Sequence, residues 1–107
     1  MNAKYIIYKD TNDLEHAVIF DKIVNHSSIK QALKSSFCYA LKDEDFISAG
    51  FVELTNLQCY GDSFTLKLKS RGDIDTKVME LLFSLWYTMI RIVEPSSFHK
   101  TAKEYQL

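Results

Sequence analysis

The chain predicts an α+β domain: a small, mainly antiparallel sheet of four to five strands with two packed helices, the C-terminal helix long and hydrophobic. Three observations carry this reading. Short runs of β-branched and aromatic residues, separated by turn residues, recur between Tyr5 and Ser70. Two longer segments, near 28–41 and 75–93, place apolar residues at helical spacing. Three glycines and one proline in 107 residues leave few positions that favour long irregular loops. A chain of this length builds one hydrophobic core. It is read as a single domain over 1–95 followed by a C-terminal tail over 96–107.

Tyr5–Tyr8 (YIIY) is strand-forming, Asp10-Thr11-Asn12-Asp13 is turn chemistry, and His16–Phe20 (HAVIF) is a second strand, so the first twenty residues predict a β-hairpin. Asn25-His26-Ser27-Ser28 then leads into a helix. Ser28 and Gln31 fit a capping box, and Ile29, Ala32, Leu33, Phe37, Ala40 and Leu41 share one helical face to about residue 41. Lys42-Asp43-Glu44-Asp45 is a charged turn. Phe46–Leu54 predicts a strand whose Ala49-Gly50 step marks a bulge or a close backbone contact. After a turn at Thr55-Asn56, Leu57–Tyr60 is a short strand and Gly61-Asp62 a further turn. Ser63–Ser70 alternates most cleanly, with Phe64, Leu66 and Leu68 on one side and Thr65, Lys67 and Lys69 on the other, and predicts a half-buried strand.

The last segment predicts a helix from Asp75 to Val93 that stops before Pro95. Its polar residues, Lys77, Glu80, Ser84, Thr88 and Arg91, form one narrow stripe, and the rest of its surface is apolar. A helix packed on a sheet needs an apolar arc of about 100°, and this one has roughly twice that. The excess predicts a homo-oligomer whose interface includes Met79, Phe83, Leu85, Trp86, Tyr87 and Ile90. The competing arrangement buries the helix between the sheet and the first helix.

Thirteen basic against fourteen acidic residues give a net charge of −1, without the basic excess by which proteins neutralise nucleic-acid phosphates. Two cysteines, Cys38 and Cys59, are too few for a disulfide scaffold and read as free thiols. The amino-terminal YIIY run is far shorter than an export signal's apolar core, and Val78–Val93 is shorter than the ~20 apolar residues of a bilayer span. A cytoplasmic protein that touches neither membrane nor nucleic acid is the expectation.

The polar residues beside the glycines are the candidate site. Gly61, Asp62 and Ser63 form one turn; Ser70, Arg71, Gly72 and Asp73 form another. Backbone N–H groups and the Arg71 guanidinium offer a place for a phosphate or carboxylate. The same residues equally serve as a hairpin turn and as the start of a helix, with Asp73 or Asp75 near its N-terminus. One extended strand between them would hold the two turns ~23 Å apart. Neither matches a phosphate-binding loop or a dinucleotide fingerprint. His16, His26, His99, Cys38 and Cys59 have no metal-ligand spacing, so no metal and no cofactor are expected. Pairing of Cys59 or Ser63 with His26 as a nucleophile would need the fold to bring them together.

The order of motifs is similar to a widespread group of small phage and prophage proteins of uncharacterised activity. The likeness rests on His26 near the start of a helix, Ser48-Ala49-Gly50-Phe51, then Gly61, Ser63, Leu66, Leu68, Ser70 and Arg71, followed by Asp73 or Asp75. It covers about Ala17 to Leu82 and implies expression from a phage genome in a bacterial host cytoplasm. The chain departs from the group in its longer, more hydrophobic C-terminal helix. The expectation is therefore a non-enzymatic accessory protein that binds a host protein or a small anionic ligand. The alternative is a small hydrolase or transferase acting on a phosphorylated ligand.

Overall fold

The computed structural model describes residues 1–36 and 41–92, with 84–92 as helix backbone. β1 (Asn2–Lys9) and β2 (Glu15–Phe20) form the expected hairpin, in the register Tyr5 opposite Ile19 and Tyr8 opposite His16. Asp10 builds its turn. Its carboxylate accepts the N–H groups of Asn12 and Leu14, at 2.8 and 3.0 Å. Its own N–H donates to the Leu14 carbonyl at 2.9 Å, and Asp13 closes the turn at φ 63°, a conformation that Asp tolerates.

β3 (Phe46–Glu53) pairs antiparallel with the other side of β1, and β4 (Gln58–Tyr60) pairs antiparallel with β3. The sheet order is therefore β2-β1-β3-β4. α1 (His26–Ser36) and α2 (Asp73–Ile92) complete the α+β architecture. Both sheet faces are covered. On one, Tyr5, Ile7, Val52 and Cys59 enclose Met79, with Val78 and Phe83 packed alongside. On the other, Ile6, Tyr8, Phe46 and Ala49 meet Ile29 and Leu33 of α1 together with Leu66 and Leu68. Burial on two faces explains why YIIY is apolar throughout rather than alternating.

Four expectations change in the structure. α1 begins at His26: the Asn25 carbonyl already accepts from the N–H groups of Ser28 and Ile29, so Ser28 lies in the first turn instead of capping it. The second half expected for that helix, Phe37 to Ala40, lies outside the described residues. The bulge sits at the start of β3, opposite Ile7 and Tyr8, and β3 runs unbroken through Ala49-Gly50.

The third change is the largest. Ser63–Ser70 is not one strand but a tight hairpin, with β5 (Asp62–Ser63) paired to β6 (Leu68–Lys69). Lys67 takes φ 55° and its N–H donates to the Phe64 carbonyl at 3.3 Å. The Ser63 hydroxyl accepts the Leu66 N–H at 3.3 Å, a local bond that competes with an extended ladder. Only Leu66 and Leu68 reach the core, while Phe64 is 92% exposed.

The fourth concerns α2. Met79 is 0% exposed in the chain's own core, so it has no surface for a second subunit, and Phe83 packs partly against the same cluster. The side chains of Leu85, Trp86, Tyr87 and Ile90 lie outside the described residues, as does the tail over 96–107. Apolar exposure on the described part of α2 falls at Ile74, Leu81 and Leu82 instead. No helix among the described residues is long and apolar enough to cross a membrane.

Ser48 is fully buried on β3, and its hydroxyl has no hydrogen-bond partner among the described residues. An unpaired buried hydroxyl carries its desolvation cost uncompensated. Ser48→Ala is thus expected to stabilise the fold by about 1 kcal/mol, read as a higher urea midpoint. A loss of stability would show that the hydroxyl is used.

Candidate functional site

The β5–β6 hairpin joins the two turns that a straight strand would hold apart: the Ser70 N–H donates to the Gly61 carbonyl at 2.9 Å. Their side chains nevertheless face different surroundings. Ser70 and Arg71 enter a polar network under α2, while Asp62 and Ser63 line an open cleft at the start of α1.

The network is centred on Asp75, whose carboxylate is fully buried. It accepts the Arg71 backbone N–H at 2.9 Å, the Arg71 Nε–H at 2.6 Å and the Tyr5 hydroxyl at 2.5 Å. Arg71 also grips Glu15 on β2, with Nη1 and Nη2 at 3.3 and 2.5 Å from its two oxygens. Ser70 Oγ lies 2.7 Å from the Tyr5 oxygen and accepts the Gly72 N–H at 3.0 Å. A phenol has one proton. Since Tyr5 gives its proton to Asp75, Ser70 donates to the Tyr5 oxygen. Burial, reinforced by the Asp75 carboxylate, holds the Tyr5 hydroxyl well above its ordinary pKa and keeps it protonated.

All three guanidinium nitrogens of Arg71 are engaged with carboxylates. Ser70 and Arg71 therefore tie the β6–α2 turn to β1 and β2. The partners Tyr5, Glu15 and Asp75 were not among the expected site residues. The Arg71–Asp75 spacing of four at a helix start was a usable local signal; Glu15 lies 56 residues from Arg71 and offered none.

The cleft has a volume of about 260 Å³, and Lys4, His26, Phe51, Asp62, Ser63 and Phe64 line it. Lys4 Nζ donates to the Val24 carbonyl at 2.9 Å. His26 is buried, and its Nε2 lies 3.0 Å from the Gly50 carbonyl. A carbonyl only accepts, so Nε2 carries the proton. The rings of Phe20 and Phe51 meet the imidazole edge-on, with centroids 5.3 and 6.2 Å away. Gly61, at φ 79°, leaves room for the Phe51 ring, which a Cβ there would approach to 3.0 Å. Phe51 in turn stacks on Tyr60 at 5.8 Å. The fold thus gathers His26, Gly50, Phe51, Gly61 and Ser63 in one place, and packing accounts for most of them.

Burial, with the nearby Lys4 ammonium, lowers the His26 pKa against the opposing pull of the Gly50 carbonyl. Below about pH 6.5 the unfolded chain takes up a proton that the folded chain refuses. Stability is therefore full above that pH and falls as pH drops toward the folded pKa. His26→Gln, whose amide still donates to the Gly50 carbonyl, is expected to flatten the stability profile just below about pH 6.5. Unchanged slope in that window would refute the assignment. Asp10 and Asp43, held low by His16 and Lys34 respectively, titrate below it.

Burial pushes the Cys59 thiol up to about 12, so it stays protonated and is a poor nucleophile. Among the described residues, no three metal-ligating side chains come together. No protein-family model, curated protein or solved structure matches the chain.

Proposed function

We propose that the protein acts by binding, as a small phage-type accessory protein that engages a host protein or a small anionic ligand in a bacterial cytoplasm. The observation that carries this is Phe64. It stands 92% exposed on the tip of a two-stranded hairpin, on the wall of the Lys4–His26–Asp62 cleft. A large aromatic side chain held on a short, tightly turned hairpin is suited to anchor a contact, because it loses little conformational freedom on binding. The cleft beside it supplies an ammonium and hydroxyls for an anionic group. Ser70 and Arg71, by contrast, are occupied within the fold.

The alternative, hydrolysis or transfer on a phosphorylated ligand, draws on Lys4, His26 and Ser63 lining one cleft. Against it, His26 Nε2 donates to Gly50 and Ser63 Oγ accepts from Leu66, so the pair is not arranged as base and nucleophile. We also propose self-association, for which two surfaces are open: Ile74 and Leu81 on α2, and the outer edge of β2.

Native mass spectrometry of the protein purified gently from its bacterial host tests the binding reading. A bound species is expected with the wild-type chain and is expected to be lost, about tenfold or more, with Phe64→Ser. Circular dichroism should be unchanged in that variant. A partner retained by Phe64→Ser would move the contact elsewhere.

A further inference from the structure

The two edges of the sheet are not equivalent. β4 is three residues long, and the Cys59 N–H is taken by Thr76 Oγ1 of α2 at 2.9 Å. That edge is short and partly covered, as exposed sheet edges usually are. Among the described residues, β2 has no such cover. The Asp10–Leu14 bond closes its hairpin, so hydrogen-bonded pairs recur at Tyr8–His16 and Ile6–Val18. Glu15, Ala17 and Ile19 then turn their main-chain N–H and C=O groups outward, and among the described residues nothing bonds them. The strand, EHAVIF, contains no proline and no lysine, and the only register shift of β1 lies on its β3 side.

We propose that β2 pairs antiparallel with β2 of a second copy, centred on Ala17, to make a continuous eight-stranded sheet about a two-fold axis. Apolar pairing selects this register. In an antiparallel ladder, outward-facing residues must oppose outward-facing residues, which permits centring on Ala17 or on Val18. Centring on Val18 sets the exposed Leu14 against Lys22 of the other copy. Centring on Ala17 sets Glu15 against Ile19, and His16 against Val18. It also covers Leu14, 61% exposed in the single chain, with Phe20.

About six main-chain hydrogen bonds form in this register. Paired residues share a face, so Ala17 and Ile19 extend the core under α2, and Val18 and Phe20 extend the one on the α1 side. The two-fold pairing consumes the open edge in both copies and leaves only the covered β4 edges, so the assembly closes at two. The pairing rests on the self-association proposed above and is independent of what Phe64 binds.

Mass and amide exchange of the unmodified chain test it together. A dimer is expected, with the Ala17 and Ile19 amides exchanging at least about 100-fold more slowly at high protein concentration than on dilution. A monomer at every concentration overturns the proposal. So does a dimer in which those two amides exchange freely, which would place the contact on Ile74 and Leu81. Protection that persists in a monomer also overturns it, because a segment of the same chain would then cover the edge. As an independent check, the doubly substituted H16C/V18C chain should give two symmetric inter-chain disulfides. The His16–Val18 pair is non-hydrogen-bonded across the two-fold, with Cα atoms about 4.5 Å apart. Oxidised chains that remain monomeric on a non-reducing gel, alongside an uncross-linked wild type, would reject the register.

Discussion

Arg71→Ala is expected to destabilise the fold by about 3 kcal/mol, one of the two largest effects of any single substitution considered. The reason lies in the asymmetry between the partners. Asp75 is 0% exposed, whereas the Arg71 side chain retains 27% exposure. Removing the guanidinium leaves a buried carboxylate facing one phenol and one backbone N–H, without its counter-charge. That cost is what makes breaking a buried pair expensive, and the partial exposure of Arg71 puts the expectation at the low end of the 3–5 kcal/mol range. Glu15 also loses its partner, but it sits nearer solvent and contributes less.

Replacing both charges by apolar residues of similar shape, as Arg71→Met with Asp75→Leu, should recover part of the loss. The coupling between the two positions should exceed about 1 kcal/mol in a double-mutant cycle. An anion-binding role for Arg71 predicts something different: Arg71→Ala would leave the unfolding free energy within about 1 kcal/mol of wild type and weaken a ligand instead. Equilibrium unfolding of the single substitution separates these outcomes without knowledge of the ligand.

The contrast between Arg71 and Asp62 shows what sequence could and could not disclose. Local chemistry was legible. The Asp10–Asp13 turn, the YIIY and HAVIF pairing, a strand over Phe46–Leu54 and a C-terminal helix starting within two residues of Asp75 all follow from propensity and turn residues within a few positions. The Ser63–Ser70 hairpin was not legible, because alternation of Phe64, Leu66 and Leu68 has the period of a strand whether or not each residue finds a core. Only the tertiary placement of Leu66 and Leu68, with Phe64 left in solvent, reveals the turn. The site suffered the same fate. Arg71 looked available because Glu15 and Tyr5, 56 and 66 positions away, carry no local mark of the partnership. Of the apolar residues on α2 that were expected to need a second subunit, Met79 finds its cover inside the chain.

Gly50→Ala is the second substitution with a large expected effect, about 3 kcal/mol, and it tests the close contact that the Ala49-Gly50 step predicted. A Cβ at Gly50 would stand 2.5 Å from the Tyr60 carbonyl oxygen, 3.3 Å from the Gly61 carbonyl carbon and 3.4 Å from Ser70 Cβ. The nearest obstacle is backbone, so no side-chain rotation relieves it. Either β4 moves off β3 or the Gly61–Ser70 junction opens, and each route breaks main-chain hydrogen bonds. The same movement would shift the Gly50 carbonyl that fixes His26, and with it the cleft at the start of α1. Gly72 supplies the control. It sits at φ 61°, and no described residue comes within 4 Å of where a Cβ would stand, so Gly72→Ala meets only the left-handed backbone penalty of about 1 kcal/mol. Urea unfolding should therefore rank Gly50→Ala well below Gly72→Ala in stability. Equal losses would mean that crowding at Gly50 is relieved more cheaply than its backbone surroundings allow. Amide exchange would localise the damage: Cys59 and Ser70, whose N–H groups bond to Thr76 and Gly61 across this junction, should lose protection before the β1–β2 ladder does.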